Sequence, residues 1–237
     1  MSRLIGATLR QALNKKLSFF DSFLYDINMT FARQLMQITP LLLTDTELSI
    51  LERRPQARYA KVKRAIASGD LIHIRRGLYC LSPELRKQEL DAFVLANQIY
   101  QPSFVSLESA LSHYRLIPEA VYTTTSLSGR RSREFKTPVG VYSYQYSKMF
   151  SFAGVERIQS GASKDYFLIA SPVRAIFDYV HVNELEWQSV APLIESLRME
   201  PDAIATLDVA GARELAAVYK NKSITKLAQE LLRYGRK

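Results

Sequence analysis

The stretch that decides the architecture runs from Leu42 to Leu81, LLTDTELSILERRPQARYAKVKRAIASGDLIHIRRGLYCL. Thr44 followed three positions later by Glu47 is capping-box spacing, in which each side chain satisfies a backbone N–H that the first turn of a helix leaves open. It opens a short helix through Leu48, Ile50 and Leu51, and Pro55 ends that stretch. Gln56 to Ser68 predicts a second helix, stopped by Gly69, because glycine enters the left-handed conformation at no steric cost. Two alternating runs follow, Leu71–Arg75 and Leu78–Leu81, around Arg76-Gly77, which predicts a hairpin. Two helices joined by a short turn and followed by a basic-tipped hairpin give the order of a winged helix-turn-helix over residues 42–82.

At 100° per residue, the second helix is expected to turn Tyr59, Val62 and Ile66 to the core and Ala57, Ala60, Lys61 and Arg64 outward. Small side chains let a helix backbone approach base pairs, Lys61 and Arg64 reach guanine edges or phosphates, and Gln56 suits adenine. Arg54, Arg58 and Lys63 flank that face and suit phosphates, as do Arg75 and Arg76 on the hairpin. From Arg53 to Arg76 there are eight basic residues and one acidic residue, Asp70. A solvated basic face is the plain alternative for such a run, and the element order and the Arg75-Arg76-Gly77 turn favour DNA.

Charge is unevenly spread outward from this stretch. Residues 1–82 hold 13 Lys/Arg against 6 Asp/Glu, residues 83–212 hold 12 against 15, and residues 213–237 hold 7 against 2, for a net +9. A basic excess suits a polyanionic partner. Before the stretch, Leu9, Leu13, Leu17, Phe20, Leu24, Ile27, Phe31 and Leu35 recur at helical spacing, giving a helical arm over residues 1–41 that packs on the protein or serves a homodimer.

After it, Ser82-Pro83 marks a boundary to a second, α+β domain over residues 83–237. Its expected elements are helices at Leu85–Tyr100 and Ser106–Tyr114, strands at Val121–Leu127, Val139–Tyr146, Val155–Ile158 and Tyr166–Ala170, and a helix opened by Ser171-Pro172. Helices at Trp187–Arg198, Thr206–Tyr219 and Ser223–Tyr234 complete it. Tyr142, Tyr144 and Tyr146 alternate, as one face of a half-buried strand does, with base stacking as the alternative. Arg130, Arg131 and Arg133 fall in a loop between strands, and Gly161 to Asp165 reads as another loop.

Hydrophobic residues at 47% and charged residues at 23% suit a folded, soluble chain, and no apolar run is long enough to span a membrane. With no signal peptide and one cysteine, Cys80, a reducing cytoplasmic setting is expected, without a disulfide framework or a cysteine-built zinc site. His73, His113 and His181 stand apart and fit no metal spacing. With no phosphate-binding glycine loop and no nucleophile elbow, neither a catalytic function nor a cofactor is expected.

Three blocks carry a family resemblance. Ser68 to Ile72 with Arg75 to Tyr79 resembles the end of the winged helix of AbiEi-family antitoxins. Pro102 to Leu111, then Leu116-Ile117-Pro118-Glu119, is similar to the SLESAL and LIPE segments of that family's antitoxin domain. Ala170 to Asp178 is similar to its A-x-P-x-K-A-x-x-D helix start, with Arg174 in place of the lysine, and His113-Tyr114-Arg115 stands where tyrosine, histidine and glycine are usual. The resemblance implies the antitoxin half of a bacterial type IV toxin–antitoxin pair linked to abortive infection by phage. Such a protein represses its own operon by binding promoter DNA and opposes a nucleotidyltransferase-like toxin.

Candidate residues in the second domain are Ser106, Glu108, Arg130, Arg131, Arg133 and Arg174. The alternatives are a solitary regulator, a toxin-masking protein with a vestigial winged helix, and a nuclease using Glu108, Asp165 and Asp178.

Overall fold

The computed structural model describes residues 31–36, 42–161 and 165–235, and the architecture is α+β. Of the expected N-terminal arm, only α1 (Phe31–Leu35) falls within these residues; the rest lies outside them, as do 162–164 of the Gly161–Asp165 loop and the last two residues. Contacts divide the chain into two units, Met1–Ile72 with Leu81–Lys87, and His73–Cys80 with Gln88–Lys237.

The first unit begins its described core at β1 (Leu42–Thr44), which leads into α2 (Asp45–Leu51). Thr44 N–H donates to Glu47 Oε2 at 2.8 Å and Thr46 N–H to Thr44 Oγ1 at 3.2 Å, so the capping box forms as its spacing demands. Three residues separate α2 from α3 (Pro55–Ala67), which starts on proline and ends before Gly69 at φ +81°. Leu35, Leu43, Leu48, Val62, Ala65 and Leu71 are buried. The hairpin of β2 (Leu71–Arg75) and β3 (Leu78–Leu81), whose residues His73–Cys80 fall in the second unit, turns on Arg76-Gly77, with Gly77 at φ +73°.

The second unit is built on a six-stranded mixed sheet. Its elements in chain order are α4 (Ala92–Ile99), β4 (Ser103–Val105), α5 (Leu107–His113), β5 (Thr123–Ser128), β6 (Arg133–Thr137), β7 (Gly140–Tyr146), β8 (Val155–Gln159) and β9 (Tyr166–Ala170). The strand order is β6-β7-β5-β4-β9-β8. The pairs β5/β7 and β4/β9 are parallel, and β6/β7, β4/β5 and β8/β9 are antiparallel. Helices follow: α6 (Pro172–Val182), α7 (Ala191–Glu195), α8 (Pro201–Ala205), α9 (Ala212–Tyr219) and α10 (Lys222–Tyr234).

Register places Val105, Ser126 and Tyr144 on one sheet face, where the Tyr144 hydroxyl donates to Ala96 O of α4 at 2.6 Å. Tyr142 and Tyr144 are fully buried there and pack as core, whereas Tyr146 at the end of β7 is exposed. Alternation turns Phe104 and Leu127 to the other face.

Several boundaries differ from the sequence reading for local reasons. The helix expected from Leu85 starts only at Ala92, where Asp91 Oδ1 accepts from Phe93 N–H at 2.7 Å and fixes the N-terminus. Trp187–Arg198 is helical only over α7, which carries Pro192 in its first turn and gives way before Arg198 at φ +52°. Thr206–Tyr219 is divided, because Thr206 caps α8 and Gly211 at φ +73° precedes α9. Three strands were not expected. Two of them, β1 and β4, are three residues long, too short to show a period, and the third, β6, takes in Arg133, which therefore lies in a strand and not in the loop.

Candidate nucleic-acid interface

The helix α3 buries a narrower stripe than the apolar pattern suggests. Its buried residues are Val62 and Ala65, with Arg58 and Lys61 half-buried beside them, while Tyr59 is 71% exposed and Ile66 also faces solvent. The expected core positions of Tyr59 and Ile66 are thus corrected: the inward stripe is centred between Val62 and Ala65, where small side chains permit close packing, and both larger residues fall outside it.

This rotation changes which cations are free. Lys61 Nζ lies 3.0 Å from Glu52 Oε2 and 5.7 Å from the Phe31 ring centroid, so its ammonium is held within the unit and does not face outward as expected. Arg58 Nη1 donates to Glu52 O at 3.0 Å, at the C-terminal end of α2, where a cation also meets the negative end of the helix dipole. It too is committed away from phosphate. Arg54 Nε donates to Glu52 Oε1 at 3.2 Å while most of its side chain remains exposed. These partners hold the Glu52 carboxyl at about 2, well below the usual carboxylate range, through Arg54 first and then Lys61.

Gln56, Tyr59, Ala60, Lys63 and Arg64 are left exposed, with Ala57 half-buried at their margin. Among the described residues no carboxylate lies within this group, and Arg64 Nε donates to Ala60 O, one turn back at 3.3 Å. Sequence reasoning missed Tyr59. Val62 stands three positions from both Tyr59 and Ala65, so the spacing fits either stripe and does not by itself turn Tyr59 outward.

On the hairpin, Arg75 donates through Nη1 to Arg76 O at 3.0 Å and through Nη2 to Gln98 O at 3.1 Å. Its guanidinium is therefore spent on backbone, and Arg76 is the exposed cation of the turn. His73 packs at a tilt against Tyr79 at 5.2 Å between ring centroids, His113 packs among Phe93, Tyr114 and Phe167, and His181 lies against Tyr219.

The second-unit candidates divide into three places. Ser106 and Arg174 come together in a buried network centred on Asp178. Ser106 Oγ donates to Asp178 Oδ2 at 2.7 Å, and Arg174 Nε and the Tyr219 hydroxyl donate to Oδ1 at 3.0 and 2.6 Å. Arg174 Nη1 reaches Ala153 O at 2.8 Å and Ser151 Oγ at 3.4 Å, and the guanidinium lies over the rings of Phe104 and Tyr219. Burial pushes the Asp178 carboxyl up from the ordinary aspartate value, against the pull of Arg174 and of the Tyr219 and Ser106 hydroxyls. Arg174 and Asp178 have no exposed side-chain surface, so this network holds β4, α5, α6 and α9 together and meets no partner. A lysine at 174 would bring one point charge where the guanidinium donates through both Nε and Nη1 and lies over two rings.

Arg130, Arg131 and Arg133 lie on the surface. Arg130 and Arg133 stand over Tyr100 and Phe135, 5.9 and 4.9 Å from the ring centroids, and Arg131 O accepts from the Tyr100 hydroxyl at 3.2 Å. Glu108 sits apart from both groups, half-buried at a cleft. Among the described residues no group of three His, Cys, Asp or Glu is placed to hold a metal ion, and no helix is long and apolar enough to cross a membrane. In comparisons with known proteins, no family model and no curated protein matches the chain.

Proposed function

We propose that this protein is a DNA-binding regulator in which α2, α3 and the β2–β3 hairpin act as a winged helix-turn-helix, with α3 entering the major groove of promoter DNA. The observation that carries this reading is the outward face of α3, where Gln56, Tyr59, Ala60, Lys63 and Arg64 are exposed without a carboxylate. Gln56 offers a bidentate amide for adenine, Arg64 and Lys63 suit guanine edges or phosphate, and the small side chain of Ala60 lets the helix approach. The Tyr59 ring is placed to meet a thymine methyl or a sugar. Arg76, at the hairpin turn, suits phosphate or the minor groove. Two copies on paired half-sites give the selectivity needed to repress one promoter.

The similarity of Pro102–Leu111, Leu116–Glu119 and Ala170–Asp178 to AbiEi-family antitoxin domains supports a second role. In that role the chain represses its own operon from the cytoplasm and opposes a nucleotidyltransferase-like toxin.

The test is binding to the DNA immediately upstream of its own gene against a scrambled fragment of equal length. The parent prefers its own DNA, the K63A/R64A double variant loses that preference, and K61A keeps it, because Lys61 is held by Glu52. Equal binding of both fragments by the parent, or loss of preference in K61A alone, overturns the reading. For the second role, co-expression with a nucleotidyltransferase-like toxin from the same operon restores growth, and continued arrest rejects it.

A further inference from the structure

One cleft of the second unit takes no part in the DNA-binding reading. It has a volume of about 520 Å³, lies beside α5, α6 and the segment leading into β5, and is walled by Ile117, Val121, Leu197, Tyr122, Tyr179 and Glu108. That volume is within the range of small-molecule sites, which combine apolar walls with few polar groups. The Tyr122 ring is 92% exposed, a large apolar surface left in water at the cleft.

Besides neutral hydroxyls, those of Thr123, Thr125 and Ser196 among them, the polar side chains of the cleft are the carboxylates of Glu108 and Glu119. Glu119 also borders the cleft but is neutralised by its ion pair with Arg198. Glu108, half-buried in the first turn of α5, has neither a hydrogen bond nor an ion pair among the described residues. Burial first, and then the charges of Glu108 and Glu119, push the Tyr179 hydroxyl up from its ordinary value, so both carboxylates bear on one point of the wall. An uncompensated carboxylate beside two tyrosine rings attracts a cation through both its charge and the negative faces of the rings. The apolar walls add a preference for a cation carried on an aliphatic stem. Nothing in the cleft offers an anion a donor of comparable strength: Arg198, the nearby cation, is taken by Glu119.

We propose that this cleft binds a small organic cation, an alkylguanidinium or alkylammonium, with its charged head at Glu108 and the tyrosine rings and its stem along Ile117, Val121 and Leu197. Such a head group is carried by a free amine or by an arginine or lysine side chain, and the chemistry recognised is the same.

Trp187 is the only tryptophan, and its ring centroid lies 5.9 Å from that of Tyr179, so a fluorescent reporter packs against one of the residues that line the cleft. Tryptophan fluorescence and titration calorimetry on the full chain compare N-butylguanidinium with N-butylurea, which has nearly the same shape without the charge. N-butylguanidinium is expected to bind saturably and N-butylurea not to bind. E108Q weakens the guanidinium by about tenfold, equivalent to about 1.4 kcal/mol. Y122A, at an exposed ring, weakens it as well, and circular dichroism verifies that both variants fold. Equal binding of the neutral compound, unchanged affinity in E108Q, or no saturable heat overturns the proposal. N-acetylarginine amide separates the sources: tighter binding than N-butylguanidinium points to a side chain, weaker binding to a free amine, and either outcome upholds a cation site.

Discussion

Glu52 is an acidic side chain in a strongly basic neighbourhood, and its position explains why it is there. Its side chain is ion-paired with Arg54 and Lys61, and its carbonyl accepts from Arg58, so one residue orders three of the cations that the sequence offers for DNA. The linkage to pH follows from the direction of its shift. A carboxyl held at about 2 when folded and near 4.5 when unfolded contributes stability that is fully present above 4.5 and is lost as pH falls toward 2. Thermal unfolding followed from pH 6 downward therefore shows a steeper loss between 4.5 and 2 in the parent than in E52Q, in which nothing titrates at this position. Parallel curves would mean that the ion pairs do not persist in solution.

At the scale of elements, α6 is fixed by chemistry that its own sequence only half discloses. Ser171 as N-cap, Pro172 in the first turn and the i, i+4 pair of Arg174 with Asp178 were legible as helix signals. The destination of Arg174 was not, because Ala153, Ser106 and Tyr219 lie 21, 68 and 45 positions away and only folding brings them to the pair. The same limit explains the other misses. Capping boxes, glycine stops and period-two runs are local, so α2, α3, β7 and β9 could be read directly. Strand β4 has three residues and takes its definition from β5 and β9, and the orientation of α3 depends on what Val62 and Ala65 pack against. Removing Arg174 leaves Asp178 buried without its countercharge, and R174M is expected to destabilise the protein by about 3–5 kcal/mol in denaturant unfolding, the usual cost of breaking a buried pair. Y219F leaves the Arg174 contact intact and costs less, about 1–3 kcal/mol. A mild effect of R174M would show that methionine packing between Phe104 and Tyr219 offsets the lost pair.

Over the whole molecule, the charge distribution separates two cationic stretches that one net value of +9 conceals. Residues 83–212 carry more acidic than basic groups, so the excess is concentrated in the first 82 residues and the last 25. In the last stretch, Arg233 is paired with Glu230 and Lys226 donates to Gln188, whereas around α3 the cations Lys63 and Arg64 are exposed. DNA binding through α3 and the hairpin turn therefore has a distinct salt signature. With Lys63, Arg64 and Arg76 each neutralising a phosphate in two bound copies, about six phosphates in all, the logarithm of affinity falls against the logarithm of salt concentration with a slope of roughly −5. If Lys63 and Arg64 each meet a phosphate, K63A/R64A removes four of the six contacts, makes that slope shallower by roughly 4 and weakens specific and scrambled DNA alike. If they meet base edges, the slope holds while the preference for the upstream DNA collapses. K220A/K222A, which removes cations at the start of α10, leaves both slope and preference unchanged when α3 is the reading element. A shallower slope in K220A/K222A with an unchanged one in K63A/R64A would instead place the phosphate contacts on the C-terminal helix and withdraw α3 from the DNA.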